Sequence, residues 1–280
     1  MSEIINIVGF DSAWSSKPNA KGGICAVQIQ GEEINLILGP ENAGFERASE
    51  IINDIHQPSD RTIVMIDQPT IVPNEIGMRP VEKLAGAVVS FIGGGVQPSN
   101  RSKADMFGND AAIWQFQSRH PFNLDPANVL NDRVELSLIE VFPALALPSF
   151  NSAFFGRYSA PKYNPQNRKK FNITDWQAVC DTAIFLSEGM GVVGLDTILS
   201  ILRAAEIPSK KNQDILDAIL CALIGINWFC IGPVPTYMLG DLDNGLMASP
   251  VSGDVKDRLL NSKHFSTHLL KRLDEVRLHD

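Results

Sequence analysis

A chain of 280 residues with 44% apolar and 20% charged residues has the makeup of one or two globular domains with a sizeable core. Its net charge of −8, from 24 basic and 32 acidic residues, excludes a protein that coats nucleic acid through bulk attraction. The cysteines, Cys25, Cys180, Cys221 and Cys230, form no CxxC pair, which argues for buried thiols in a reducing compartment and against a zinc site.

The N-terminus carries Glu3 where a secretory leader would be positive, and its apolar run stops at Asp11, so no export is expected and the cytoplasm is the expected location. Three strand-like runs come first: "IINIVGF" up to Asp11, "GGICAVQIQ" from Gly22 and "INLILGP" from Ile34, with "GEE" as a tight connection between the last two. They predict an antiparallel meander. "FERASEIINDIHQ" has helical spacing, and "TIVMID" is a short apolar strand ending at Asp67, so the helix between buried strands predicts a parallel crossover. Residues 68–132 are rich in breakers around a helix near Arg79 to Ile92 and read as an insertion over a site.

"VELSLIEVF" gives another strand ending near Glu140 and Phe142. Helices follow in "TDWQAVCDTAIFLSEGM", "DTILSILRAAE" and "NQDILDAILCALIG". The charge-free run from Ala218 is closed by Gly232 and Pro233 near Ile231, leaving about 21 Å of helix against the roughly 30 Å of a bilayer core; it reads as a buried core helix. "YMLGDLDNGLMASP" reads as a hairpin around Asn-Gly. This order predicts an α/β fold, a mixed sheet flanked by helices in a single domain over 1–280, with residues 236–280 as a C-terminal hairpin and helix extension.

If the first strand and "TIVMID" are parallel neighbours, Asp11 and Asp67 stand side by side at their carboxyl ends, the edge where open α/β sheets bind ligands. Each Asp also reads as a turn former. Asp214 and Asp217 share a helix face with Ala218 and Cys221; they are either first-turn acids favoured by the helix dipole, with Asn212 or Ser209 as the cap, or ligands turned toward the interior by an apolar helix. Glu140 lies in phase with Leu136 and Leu138 in an apolar strand, and a buried carboxylate needs a partner. Mutually close carboxylates repel, and a bound cation is the simplest remedy.

The stretch Asn151 to Thr174 holds five basic residues, Arg157, Lys162, Arg168, Lys169 and Lys170, and no acidic one, so the rest of the chain sums to −8 − 5 = −13. It is a solvated face or a phosphate-binding segment, with Tyr158, Tyr163 and Phe171 as stacking partners. Other motifs carry less: "FIGGGVQPSN" reads as a loop tip, "DLDNG" lacks the distal Glu of a calcium loop, and His264 and His268 read as a solvated pair.

The ordered set "IVGFDSAW", "MIDQP", the Arg of "GMRPVEK", "IEVFPALA", the Lys and Arg of "KYNPQNRKKF", "DILDAILCAL" and "GDLDNGLMASP" resembles an uncharacterised family of predicted RNase H-like nucleases, the domain of unknown function four-two-nine, over roughly Ile5 to Pro250. The spacing of the acids also resembles RuvC-type resolvases of the same superfamily. The resemblance implies an RNase H-like mixed five-stranded sheet in order 3-2-1-4-5. It implies Mg²⁺ or Mn²⁺ held by Asp11, Asp67, Asp214 and Asp217, with Glu140 as an outer ligand or orienter. It further implies nucleic acid, DNA or RNA, as substrate, with Arg79, Lys162, Arg168 and Lys169 holding its backbone. The late helix would aim its N-terminus at the metal site, where the dipole helps keep both aspartates ionised. Where the family reads Glu-Val-His-Pro-Glu, this chain has Phe142 and Ala144 in the His and second Glu positions, and Glu82 stands where Asp is more usual. The expected activity is metal-dependent phosphodiester hydrolysis. The alternatives are a catalytically degenerate binding module for nucleic acid or nucleotide, and an actin-like ATPase or kinase, which the missing second phosphate loop disfavours.

Overall fold

The computed structural model describes residues 3–17, 19–131, 134–230, 232–266 and 269–273. The chain first forms β1 (Ile4–Asp11), β2 (Gly22–Gln30), β3 (Glu33–Ala43), α1 (Phe45–Ile55) and β4 (Arg61–Asp67). Next come α2 (Pro80–Val89), α3 (Ala104–Phe107), α4 (Ala112–Ser118), α5 (Pro126–Asn131), β5 (Leu136–Glu140) and α6 (Pro143–Phe150). The remainder comprises α7 (Ile173–Gly189), β6 (Val192–Val193), α8 (Asp196–Ala204), α9 (Lys210–Phe229), β7 (Thr236–Asp241), β8 (Gly245–Pro250), α10 (Gly253–Leu260) and β9 (Leu270–Arg272).

The main sheet runs β5-β4-β1-β2-β3-β6, so the expected order 3-2-1-4-5 is present with a sixth strand added beside β3. β1 to β3 form the antiparallel meander, while β1, β4 and β5 are parallel. This is a mixed α/β sheet, consistent with an RNase H-like fold. β6 is only two residues long and joins β3 through Ile34 opposite Val192.

Period-two alternation along the central strands feeds two apolar layers. Ile7, Ile63, Met65 and Ile139 point into the layer built on α9 and α7; Val8, Val64, Ile66 and Leu138 point into the opposite layer under α1 and α4. Strands buried on both faces are near-continuous apolar runs, and "TIVMID" and "LSLI" are runs of that kind.

The insertion is more ordered than a loop. It carries α2 to α5, and α2 forms a third core with the small sheet β8-β7-β9 and with α10, through Val81, Leu84, Val88, Leu239, Met247 and Val255. Helix α2 of the insertion and the C-terminal extension therefore share one core, which Leu145 of α6 also enters, whereas α3 and α4 pack through Phe107, Ile113 and Phe116 on the main sheet; a parallel bridge, Val141 to Ala248, joins β8 to the end of β5. Among the described residues no helix is long and apolar enough to cross a membrane. His268, the helix end expected at Ile231, and Asp132 at the insertion boundary lie outside the described residues.

Candidate functional site

Asp11 and Asp67 end β1 and β4 and are direct partners in the parallel register, two central strands meeting the same edge level with each other. The α9 backbone lies on the sheet immediately behind them. A β carbon on Gly9 would sit 2.1 Å from the carbonyl oxygen of Ala218, and one on Gly23 would sit 2.1 Å from that of Asp214. Only glycine permits this approach, which carries Asp214 and Asp217 against β1 and β2.

The cap of α9 is Ser209. Its hydroxyl accepts from the Asn212 backbone N–H at 3.2 Å, while Asn212 Oδ1 accepts from the Ser209 N–H at 2.9 Å. Asp214 and Asp217 thus lie beyond the first turn, at 4% and 6% exposure, where a dipole effect confined to that turn no longer accounts for them. The dipole does not keep Asp217 in the ordinary carboxylate range either.

Burial raises Asp11 well above the usual carboxylate value, and repulsion from Asp217, Asp67 and Asp214 adds to it; Lys210 acts in the opposite direction. Asp67 is raised by burial, then by Asp217 and Glu140, again relieved by Lys210. Asp217 is pushed up to about 6, burial outweighing the help of Tyr163, Lys210 and Gln213. Three of these acids come from separate elements and sense one another's charge, so they form one cluster.

Several groups hold that cluster. Tyr163 donates its hydroxyl to Asp217 at 2.8 Å and Gln213 donates its amide to the other oxygen at 3.1 Å. Lys210 donates to Asp214 one helical turn on. Burial works against the Lys210 charge, but Asp11, Asp214 and Asp217 hold its pKa above the ordinary lysine value. The Trp14 indole donates to the Asp67 carbonyl at 2.6 Å, and Trp14 itself has φ 48°, a left-handed backbone that only surrounding contacts sustain. Sequence spacing is enough to find Lys210 and Gln213, each four residues before the acid it serves on the same helix. Tyr163 reads from sequence only as a stacking partner, and nothing local links it to Asp217.

Arg79, expected to hold a substrate backbone, is instead 1% exposed and spent inside the protein. Its guanidinium donates to both oxygens of Glu140 at 2.6 and 2.9 Å, to Glu82 at 2.8 Å and to the Ile71 carbonyl at 2.9 Å. A buried arginine with two carboxylates is a self-contained ion triad, which leaves no fork for a phosphate. Arg79 and the Thr70 N–H, at 3.1 Å, occupy the oxygens of Glu140. Burial still leaves its pKa raised despite Arg79.

The cluster opens into a cavity of about 580 Å³ lined by Asp11, Asp67, Asp214, Asp217, Glu140, Lys210 and Lys21. Phe142 closes part of this cavity. Ala144 lines a neighbouring cavity of about 450 Å³, which also takes Lys162. Lys162 donates to the Gly93 carbonyl at 2.8 Å. Arg168 and Lys169 are exposed on the same loop, and Arg168 shares a third cavity with Lys210. Among the described residues no three His, Cys, Asp or Glu side chains are gathered as a ready metal cage. Within the cluster Lys210 is paired with Asp214, while Tyr163 and Gln213 hold Asp217.

The fold and the cluster define the class: an α/β protein of mixed sheet with a carboxylate site at the carboxyl edge of its central parallel strands. The chain belongs to the family described as "Protein of unknown function (DUF429)", whose model matches residues 9–238, from Gly9 through all four aspartates and Glu140 into β7. No curated protein and no solved structure matches it.

Proposed function

We propose that this protein is a divalent-metal-dependent phosphodiesterase that hydrolyses nucleic acid, DNA or RNA, with Mg²⁺ or Mn²⁺. The observation that carries the reading is the convergence of Asp11, Asp67 and Asp217 from two strands and a helix, buried and mutually repelling. Hard carboxylate oxygens are the donors that such cations prefer, and the repulsion is what a cation relieves. Asp11, Asp67, Asp214 and Asp217 would hold the metal. When bound, such ions supply an acidified water as nucleophile and charge stabilisation for the leaving oxygen.

The chain's own residues do the rest. Tyr163 and Gln213 fix the orientation of Asp217, Arg79 neutralises and pins Glu140 beside Asp67, and Trp14 holds the end of β4. Lys162, Arg168 and Lys169 meet phosphates along the loop, positioning the strand without reading it. The buried thiols of Cys25, Cys180 and Cys221 suit a cytoplasmic setting.

A nucleic-acid-binding module without turnover is the second reading, favoured by the Lys210 ion pair inside the cluster. Labelled single-stranded, duplex, hybrid and four-way-junction substrates, incubated with Mg²⁺, Mn²⁺ or EDTA, separate the two. Cleavage that needs metal and disappears in Asp11→Asn supports the nuclease. Binding without cleavage under every condition supports the module.

A further inference from the structure

Beside the carboxylate cavity lies the second one, of about 450 Å³, and the two share Gly95, Asn164 and Gln213. Their linings differ in charge. The first gathers acids; the second has no Asp or Glu among its lining residues and two lysines, Lys162 and Lys170. Its volume is ample for one nucleotide unit, since small-molecule sites run from about 300 to 1,000 Å³. Val89, Ile92 and Leu147 supply apolar wall, Phe171 and Tyr163 supply aromatic side chains, and Asn164 and Asn167 supply amides.

The cavity is built into the fold. Lys162 ties its loop to Gly93, the Ala160 N–H donates to the Ile92 carbonyl at 2.7 Å, and Asp175 accepts from the Lys162 N–H at 2.7 Å. Both rims are therefore fixed to the same frame. One buried polar group facing it is unspent. Gln213, only 7% exposed, donates to Asp217, but its Oε1 has no hydrogen-bond partner. Asn167, exposed at the rim, adds a side-chain amide that bonds no other described residue. Buried amide oxygens without a donor are uncommon and costly.

We infer that this second cavity is a nucleotide subsite: it receives one unstacked base of the substrate strand, with Lys162 and Lys170 at its phosphate, while the neighbouring phosphodiester lies at the carboxylates. The inference rests on the nuclease reading for the identity of the strand and adds its state. A base still paired and stacked in a duplex cannot lie in a side cavity of this kind, so the substrate is single-stranded or locally unpaired. The apolar wall and rings favour stacking, the amides meet the base edge, and no carboxylate of this cavity repels the phosphate.

The test uses the full chain in EDTA, so that binding is read without turnover. Fluorescence anisotropy with a short labelled single strand, as DNA and as RNA, is compared with the same sequence as duplex. The parent should bind at least one single strand about tenfold or more tightly than its duplex. Ala144→Trp, which fills the cavity, and Asn167→Ala, which removes the uncommitted amide, should each cut that preference severalfold, with melting temperatures verifying the fold. Should Ala144→Trp fail to fold, Asn167→Ala and Phe171→Ala decide. Equal affinity for single strand and duplex, or a preference untouched by the variants, overturns the subsite. A preference that obeys these variants in a protein that never cleaves sinks the nuclease reading and leaves the subsite standing. Metal-dependent cleavage with no preference does the reverse.

Discussion

Replacing Asp217 by asparagine should make the metal-free protein more stable at neutral pH, the opposite of what removing a twice hydrogen-bonded buried side chain usually does. Burial holds the folded-state pKa at about 6 against an ordinary value of 3.8. Above pH 6 the folded protein therefore carries an ionised group that the unfolded chain accommodates more easily, at a cost of about 1.36 × 2.2, or about 3 kcal/mol. The sign follows from proton binding: between the two values the native state holds the extra proton, so this contribution weakens stability as pH rises through that window. The substitution removes the charge. The new carboxamide keeps one oxygen for the Tyr163 hydroxyl, and its NH₂ can donate to the orphaned Gln213 Oε1 once that side chain turns over. With about 1 kcal/mol lost to imperfect bonds, the net gain is about 2 kcal/mol, a few degrees in melting temperature. Thermal melts in EDTA at pH 7.5 and pH 5 read it: the advantage should be full at the first and smaller by about 1.4 kcal/mol at the second, which lies inside the window between the two pKa values. A variant less stable than the parent at pH 7.5, or a difference that ignores pH, refutes the argument.

Lys210→Met should lower the melting temperature in EDTA, because Asp11, Asp214 and Asp217 lose their cation, and millimolar Mg²⁺ should restore it; no fall in EDTA would count against Lys210 as the resident counter-charge. Arg79→Met leaves Glu82 and Glu140 buried without a counter-charge and should cost about 3–5 kcal/mol in urea denaturation, whereas an arginine reserved for substrate would cost almost nothing. Alanine at Lys162, Arg168 and Lys169 together should weaken binding to every sequence alike and flatten the salt dependence by about 0.7–0.9 in log–log slope for each phosphate no longer neutralised, and an unchanged slope would make the loop a solvated surface.

Much of the sheet is legible in the sequence because its strands are long and apolar: "IINIVGF" and "TIVMID" announce themselves, and their parallel pairing follows from the helix between them. β6 is not, since two residues carry no period. The insertion reads as loop-rich because α3, α4 and α5 have at most seven residues, too few turns for a helical pattern to emerge. The union of the C-terminal sheet with α2 rests on packing between residues more than a hundred positions apart, which local pattern cannot foretell. In the site, Asp11 and Asp67 are readable as strand ends, and Asp214 and Asp217 by their spacing on an apolar helix. Arg79 misleads because the resemblance assigns it to the substrate backbone; only tertiary structure discloses that Glu82 and Glu140 enclose it.

The approach of α9 to β1 and β2 at Gly9 and Gly23 has a bearing on how this site tolerates change. The separation of a helix from a sheet is ordinarily set by the side chains between them, and it drifts as those are exchanged. Here main chain rests on main chain, a hard stop that neither compresses nor swells when Leu216, Ile219 or Leu223 is replaced. The surrounding core is thereby free to wander in sequence while the aspartates of the helix keep their height above those of the strands. Two residues without side chains act as the spacer from which the whole constellation is measured.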